Sequence, residues 1–242
     1  MIDCIIPARA GSKGIPKKNI ILIEQLPLIA YSIFVAKKSE RINNIYVSTD
    51  SEEIAEISNF FGAKTPFLRP EYLASDKAND KQVFLHFFNE AFKLKLPLTE
   101  EVVHLRPTTP GRKIEIVDEA ISEFYLNKSC TSLRSAHKSD LHPHKWFNLE
   151  DGYFRPVIKN ISNIEVTNMP RQSFPPVYIP NGYIDIVKFS TFKHDGIFHG
   201  NKIKSFLTEE VIDIDKYVDL ENAKTNLEIK KLAESIKKEF RF

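Results

Sequence analysis

A loop rich in glycine and basic residues follows the first apolar segment of the chain. Residues 8–19 read Ala-Arg-Ala-Gly-Ser-Lys-Gly-Ile-Pro-Lys-Lys-Asn, with four cations and two glycines. Glycine lets backbone N–H groups approach phosphate oxygens, arginine can hold two such oxygens at once, and lysine acts as a point charge. The spacing is neither that of a Walker loop nor Gly-x-Gly-x-x-Gly. The composition favours a phosphate site, and the alternative is a solvated turn with incidental charges.

Two aspartates near the end of the chain, Asp213 and Asp215, are separated by one residue. If residues 211–214 form a strand, both carboxylates face the same side of it. Mg2+ takes oxygen ligands and keeps waters and substrate phosphates in its coordination shell, so such a pair suits it. By itself an Asp-x-Asp pair is weak evidence for a metal site.

Strands and helices alternate through the first half of the chain and position these residues. Short apolar runs predict strands, and segments with apolar residues at helical spacing predict helices. The predicted strands are 2–7, 44–48, 64–68 and 101–105, and the predicted helices are 27–39, 52–61, 80–95 and 114–126. This order predicts an open α/β sheet with right-handed crossovers, whose ligand lies beyond the carboxyl ends of the strands. Segments 8–19, 48–51 and 106–112 all fall at such ends.

The stretch 134–180 interrupts the alternation and is rich in His, Pro, Asn and aromatic residues. It is either a surface excursion or an arm that packs against a second subunit. Regular structure resumes with predicted strands at 181–187 and 211–214 and a helix at 219–240 that has Asp219 near its N-cap. We therefore expect a single domain, 1–242, with an inserted arm at about 134–180.

The composition excludes several classes of protein. With 34 Lys and Arg against 32 Asp and Glu, the net charge of +2 argues against a strongly basic nucleic-acid binder. We find no apolar run near the roughly 20 residues of a membrane span, and no signal peptide at the start. The two cysteines form neither a disulfide framework nor a metal knuckle, so we expect a cytoplasmic protein without nucleic-acid or membrane partners. His137, His142 and His144 lack cysteines at zinc-site spacing, which favours solvated or interface roles.

The string from residue 6 to residue 19 closely resembles the signature of the acylneuraminate and related sugar-acid cytidylyltransferases. Further matches, covering nearly the whole chain, are Val-Ser-Thr-Asp-Ser at 47–51, Phe-Leu-Arg-Pro at 67–70, Leu-Ala-Ser-Asp at 73–76, Leu-Arg-Pro-Thr-Thr-Pro-Gly-Arg at 105–112, Arg-Gln at 171–172, Asn-Gly at 181–182 and Ile-Asp-Ile-Asp at 212–215. The resemblance implies an open, mostly parallel Rossmann-like sheet flanked by helices, with an irregular dimerisation insertion and a homodimeric assembly.

The resemblance also implies a reaction and its site residues. CMP would pass from CTP to the anomeric hydroxyl of a nonulosonic 2-keto sugar acid, with Mg2+ as cofactor and pyrophosphate as leaving group. Arg9, Lys18 and Asp213 are implied as catalytic, and Asp213 and Asp215 as metal ligands. The implied nucleotide-binding residues are Arg9, Ala10, Gly11, Ser12, Lys13, Lys18, Asn19, Arg69 and Asp76. The implied substrate-binding residues are Arg106, Thr108, Thr109, Arg171, Asn181 and Asp185.

The chain departs from the sialic-acid pattern in three places. Arg106 stands where the family has Gln, residues 181–185 read Asn-Gly-Tyr-Ile-Asp in place of Asn-Gly-Ala-Ile-Tyr, and 109–111 read Thr-Pro-Gly in place of Ser-Pro-Leu. Since a partly buried cation needs an anion, we expect Asp185 to pair with Arg106. The alternatives are neutral drift and an outward-turned Arg106. We expect a modified acid, such as a legionaminic type, in place of N-acetylneuraminate.

Two other functions stay open on these residues. A nucleotidyltransferase acting on a sugar phosphate would need a site for a second phosphate where a sugar acid has its carboxylate. A non-catalytic nucleotide-binding regulator would have no need of the metal pair, Asp213 and Asp215.

Overall fold

The computed structural model describes residues 1–159, 161, 163–194 and 196–241. The strands are β1 (Ile2–Pro7), β2 (Leu22–Ile23), β3 (Leu26–Pro27), β4 (Ile42–Ser48), β5 (Glu101–His104), β6 (Ser132–Lys138), β7 (Phe147–Glu150), β8 (Tyr153–Pro156), β9 (Tyr178–Lys188) and β10 (Ile203–Leu207). The helices are α1 (Leu28–Lys38), α2 (Glu52–Phe60), α3 (Asp80–Lys93), α4 (Ile114–Leu126), α5 (Phe189–His194), α6 (Tyr217–Thr225) and α7 (Leu227–Phe240). Short 3-10 turns lie at Lys18–Ile20, Glu71–Leu73, Pro143–Lys145, Ile164–Asn168 and Arg171–Ser173.

Six strands form one sheet in the order β10-β6-β9-β5-β1-β4. β1 runs parallel to both β4 and β5, and β10 runs parallel to β6. β9 lies between β5 and β6 and is antiparallel to both. The predicted mostly parallel α/β sheet is confirmed, with β9 as its antiparallel member.

β1 carries buried apolar residues on both faces because helices cover both sides of the sheet. Ile2, Cys4 and Ile6 pack in the core that includes α1, whereas Ile5 packs with Phe84 of α3. α3 begins with a capping box, in which Asn79 accepts from the Gln82 N–H and the Gln82 side chain accepts from the Asn79 N–H. The helix starts beside the carboxyl ends of β1 and β5, where Asp80 accepts a hydrogen bond from Arg106.

Three predicted elements were wrong in detail. Residues 64–68 contribute only a single bridge between Lys64 and Tyr46, and 211–214 is not a strand. The predicted helix 219–240 is two helices, because the Asn226 side chain accepts from the N–H groups of Glu228 and Ile229 and starts α7 anew. β10 was not predicted, because Phe206 is its one buried residue and the burial signal is weak.

The inserted arm is more regular at its base than predicted. Its first residues belong to β6 and its last to β9, and the two strands pair from Ala136 with Pro180 to Lys138 with Tyr178. Between them β7 and β8 form an antiparallel hairpin with exposed apolar side chains at Leu149, Tyr153 and Phe154. Within the described part of the chain, no helix has the length and apolar character to cross a bilayer.

Candidate functional site

A cavity of about 340 Å³ opens at the carboxyl ends of β1 and β5. Nine of the predicted site residues line it: Arg9, Gly11, Ser12, Lys18, Asn19, Arg69, Asp76, Arg106 and Thr108. A larger groove of about 860 Å³ runs along β10 and the start of α7 and includes none of the predicted residues. The smaller cavity is therefore the candidate site, since the chemistry converges there.

The loop after β1 is held in place by its own polar groups. The Ala10 N–H donates to Asp50 Oδ1 at 2.9 Å, and the Asn19 side chain donates to the Arg9 carbonyl oxygen at 2.9 Å. Asn19 is buried, and it fixes the backbone at Arg9. Asp50, which follows β4, was not predicted as a site residue. The predicted meeting of segments 8–19 and 48–51 at one sheet edge is confirmed.

Three cations of the loop are paired with two aspartates. Asp76 accepts from Arg9 Nη2 and from Lys13 Nζ, each at 2.7 Å, and its pKa is lowered by these bonds, to Lys13 first and then to Arg9. Lys18 Nζ lies 2.7 Å from Asp215 Oδ1. The structure thus brings together residues nearly 200 positions apart, with the pair of Lys18 and Asp215 separated by 197.

Asp213 and Asp215 are both exposed, and Ile214 between them is fully buried. The Ile214 N–H donates to the Thr108 carbonyl oxygen at 2.8 Å, which ties this segment to the loop after β5. The predicted strand was wrong, yet burial of Ile214 leaves the two carboxylates exposed on either side of it. Among the described residues, no group of three or more His, Cys, Asp or Glu side chains forms a metal cage. Two carboxylates still suit Mg2+, which draws its other ligands from water and phosphate.

A close approach of backbone explains one glycine of the loop. A Cβ added at Gly14 would lie 2.5 Å from the Asp215 carbonyl oxygen, closer than real Cβ atoms come. A Cβ at Gly11 would meet nothing within 4 Å. Gly14 therefore lets the basic loop pack against the segment that carries Asp215.

Arg106 pairs with Asp185, as predicted. Arg106 Nη1 donates to Asp185 Oδ2 at 2.8 Å, and Nη2 donates to Asp80 Oδ2 at 3.1 Å. Asp185 is only 1% exposed, so its charge needs this partner. Asp80 was missed, although its place at the start of α3 after the 73–76 motif was a usable signal. Arg106 is thus held between two carboxylates at the edge of the cavity.

His104 adds an uncharged polar group beside this pair. It is the last residue of β5, two positions before Arg106, and it is fully buried. Burial lowers its pKa to about 3, so the ring is neutral at physiological pH. Neither ring nitrogen has a hydrogen-bond partner among the described residues, and Asp185 Oδ1 and Arg134 Nε also lack one. His104 was not predicted, because a histidine at the end of an apolar strand gave no separate signal.

Arg112, which sequence reasoning left without a role, holds the loop after β5. Its buried guanidinium donates to the carbonyl oxygens of Arg106, Thr109, Gly182 and Tyr183. Burial lowers its pKa to about 10, which leaves it a cation at neutral pH. The arginine thereby fixes the backbone of the 106–112 loop against β9 at Gly182, whose φ is +67°.

Arg69 lines the cavity, whereas Thr109, Asn181 and Arg171 do not. Arg69 is buried 4.0 Å from Asp50, and Thr109 is buried with its hydroxyl toward the Gly182 carbonyl oxygen. Asn181 is buried and donates to Thr208 Oγ1 at 2.7 Å. Arg171 is on the arm, half-exposed, and pairs with Asp140 at 2.7 Å.

Comparison with known proteins connects this geometry to one family. The sequence profile of the family described as cytidylyltransferase matches residues 4–139. The chain is 35% identical to post-translational flagellin modification protein B of Campylobacter coli, over 90% of this chain and 91% of that protein. It is 31% identical to the CMP-N,N'-diacetyllegionaminic acid synthase of Legionella pneumophila, over 90% and 92% of the two chains.

Other similar proteins are longer or more distant. The chain is 31% identical to the N-acylneuraminate cytidylyltransferase of Escherichia coli over 93% of its own residues, but it spans only about half, 51%, of that relative. Among solved structures, a CMP:2-keto-3-deoxy-manno-octonic acid synthetase complexed with CTP superposes with a TM-score of 0.66 at 15% identity, covering 93% of this chain and 97% of the other. At that identity the likeness concerns the fold.

Proposed function

Since this chain belongs to the cytidylyltransferase family, we propose that it transfers CMP from CTP to the anomeric hydroxyl of a modified nonulosonic acid of the legionaminic type. The observation that carries the proposal is the clamped Arg106, which faces the same cavity as the basic loop. The names of its relatives support a nonulosonic acceptor, with neuraminic, legionaminic and pseudaminic acids among them. A cytoplasmic location stays a prediction from the sequence.

The basic loop acts on the triphosphate. In the reaction the anomeric oxygen forms a bond to the α-phosphorus, the bond from that phosphorus to the β-phosphate oxygen breaks, and the hydroxyl proton is released to water. Negative charge develops on phosphate oxygens and on the leaving pyrophosphate. Fixed cations stabilise such charge most when they are held in advance. Arg9, Lys13 and Lys18 are cations of this kind, each held by an aspartate.

Asp213 and Asp215 would hold the divalent ion. When bound, Mg2+ supplies positive charge to the phosphate oxygens around the reacting phosphorus. The two carboxylates are presented by a segment that hydrogen-bonds to Thr108 and packs against Gly14. The site therefore joins the basic loop, the loop after β5 and the aspartate pair at one edge of the sheet.

The pairing of Arg106 with two carboxylates favours an acceptor sugar that presents a neutral polar group to this side chain. Asp80 and Asp185 together neutralise the Arg106 charge, so this guanidinium is not a free cation for an added phosphate. Its remaining N–H groups can still donate to an uncharged acceptor such as an amide carbonyl. Selection by buried polar groups is strong because the wrong substrate leaves them unpaired. This favours an acylamino-bearing sugar acid over a sugar phosphate.

The test measures pyrophosphate release from each nucleoside triphosphate with N,N'-diacetyllegionaminic acid, pseudaminic acid and N-acetylneuraminate. We expect CTP to be preferred, and kcat/KM to be highest for N,N'-diacetyllegionaminic acid. Arg106→Gln should shift the ratio of kcat/KM between modified acid and N-acetylneuraminate by about tenfold or more. Arg41→Gln, an exposed change outside the cavity, serves as control. A wild-type preference for N-acetylneuraminate contradicts the proposal.

We also propose that the arm packs against a second copy of this chain. The hairpin of β7 and β8 exposes Leu149, Tyr153 and Phe154 by about two-thirds or more each. Apolar groups gathered at one projecting element favour an interface. Arg171, implied by family resemblance to bind the acid carboxylate, lies on the same arm, which supports a composite site. Sedimentation should show a dimer, and Phe154→Glu should weaken it; a fully active monomer contradicts this.

A further inference from the structure

Asp76 lies at the edge of the cavity between two cations of the basic loop, Arg9 and Lys13. Its Oδ1 lies 2.7 Å from Arg9 Nη2, and its Oδ2 lies 2.7 Å from Lys13 Nζ. Both carboxylate oxygens are therefore engaged by the groups proposed to bind the triphosphate. Sequence reasoning placed Asp76 among the nucleotide-binding residues, but an ionised carboxylate has no hydrogen to donate to a phosphate oxygen.

Like charge prevents Asp76 and a triphosphate from sharing these cations at close range. Two anions a few ångströms apart repel each other, and each needs the same N–H groups of Arg9 and Lys13. The two basic partners lower the pKa of Asp76, so the carboxylate stays charged at neutral pH. Binding of phosphate then requires the carboxylate to give up its partners.

The surroundings allow such an exchange. The Asp76 side chain is 41% exposed and that of Lys13 is 82% exposed, and ion pairs this accessible to water contribute little stability. Arg9 also donates through Nη1 to the Ala74 carbonyl oxygen at 3.2 Å, and Asn19 holds the Arg9 backbone. Arg9 thus keeps its position when the carboxylate moves away.

We propose that Asp76 is a counter-ion that exchanges with the phosphates of the nucleotide. It holds Arg9 and Lys13 in a geometry suited to two anionic oxygens, leaves them as the triphosphate binds, and returns as pyrophosphate departs. Asp76 is thereby a positioning residue that speeds release of pyrophosphate at a cost in affinity. The inference rests on the proposed function only in taking Arg9 and Lys13 as phosphate-binding cations.

The experiment is calorimetric titration of inorganic pyrophosphate into the full chain without divalent metal. Asp76→Asn keeps the size of the side chain and removes its charge. We expect it to bind pyrophosphate about fivefold more tightly than the wild type, equivalent to about 1 kcal/mol. The matched control is Glu53→Gln, because Glu53 pairs with Lys17 of the same loop, also at 2.7 Å, and does not line the cavity. The pyrophosphate affinity of Glu53→Gln should stay within about twofold of the wild-type value, which is well below the expected fivefold shift.

The outcomes separate this inference from the proposed function. Unchanged or weaker pyrophosphate binding by Asp76→Asn overturns the exchange and leaves the phosphate site intact. No pyrophosphate binding by either the wild type or Asp76→Asn overturns the phosphate site at this loop and the exchange with it. Equal tightening in Glu53→Gln also overturns the exchange, because the effect would then be one of net charge. Thermal unfolding of each variant at the wild-type temperature establishes that the fold is retained. In steady-state kinetics, product inhibition by pyrophosphate should strengthen in Asp76→Asn alone.

Discussion

Replacing Gly14 by alanine should displace the segment that carries Asp215 from the basic loop. The added Cβ would lie 2.5 Å from the Asp215 carbonyl oxygen, whereas ordinary van der Waals contact begins at 3.4 Å. Loop and segment must therefore separate by about 0.9 Å, the difference between those distances. The obstacle is backbone, which cannot swing aside as a flexible side chain can. Displacements of about 1 Å in a catalytic arrangement cost on the order of a hundredfold in rate.

We expect Gly14→Ala to lower kcat/KM for CMP transfer by about a hundredfold and to weaken Mn2+ binding measured in the presence of CTP. Overpacking should also lower the free energy of unfolding by about 1–3 kcal/mol. Gly11→Ala is the matched control for stability, because the same methyl group there contacts nothing within 4 Å. Wild-type turnover and Mn2+ affinity in Gly14→Ala would refute the argument that this contact positions Asp215.

Three further predictions follow from the site. Asp213→Ala and Asp215→Ala should each lower turnover at least about a hundredfold at saturating Mg2+, with unchanged thermal unfolding, and near-normal turnover in either contradicts the metal assignment. Arg9→Ala and Lys18→Ala should lower kcat more than they raise the KM for the sugar acid; an effect confined to that KM contradicts the placement of the loop. Because the pKa of His104 falls from 6.5 to about 3 on folding, its contribution to stability is lost as pH drops below 6.5. Relative to His104→Gln, the wild type should lose about 2 kcal/mol between pH 7 and pH 5 in urea unfolding, and parallel pH profiles would contradict this.

The strands nearest the site were predictable because the sheet is covered on both faces. β1 carries four buried apolar residues and β5 carries two, and the loops after them carry the charged groups. Strand ends of parallel neighbours meet at one edge, so the meeting of Arg9 and Arg106 around one cavity followed from the order of elements. The pair of Arg106 and Asp185 followed from the energetic need of a buried charge for a partner.

What the sequence left out depends on tertiary contacts with weak local signals. β10 lies at the edge of the sheet, where one buried residue suffices, and the break before α7 depends on the Asn226 cap inside an otherwise helical pattern. The structural role of Arg112 could not be predicted from the sequence, because its carbonyl partners include Gly182 and Tyr183, which are about 70 positions away. Pairing of Asp76 with Lys13 likewise depends on the folded loop.

β9 enters the sheet directly from the arm and runs antiparallel to both of its neighbours. β6, the arm and β9 form one continuous stretch of chain that contains the hairpin, Arg171 and Asp185. The basic loop after β1 and strand β4 belong to a different stretch, near the start of the chain. On the proposed function, exchanges within the later stretch would alter the Asp185 partner of Arg106 and the proposed subunit contact together, without changing the basic loop after β1.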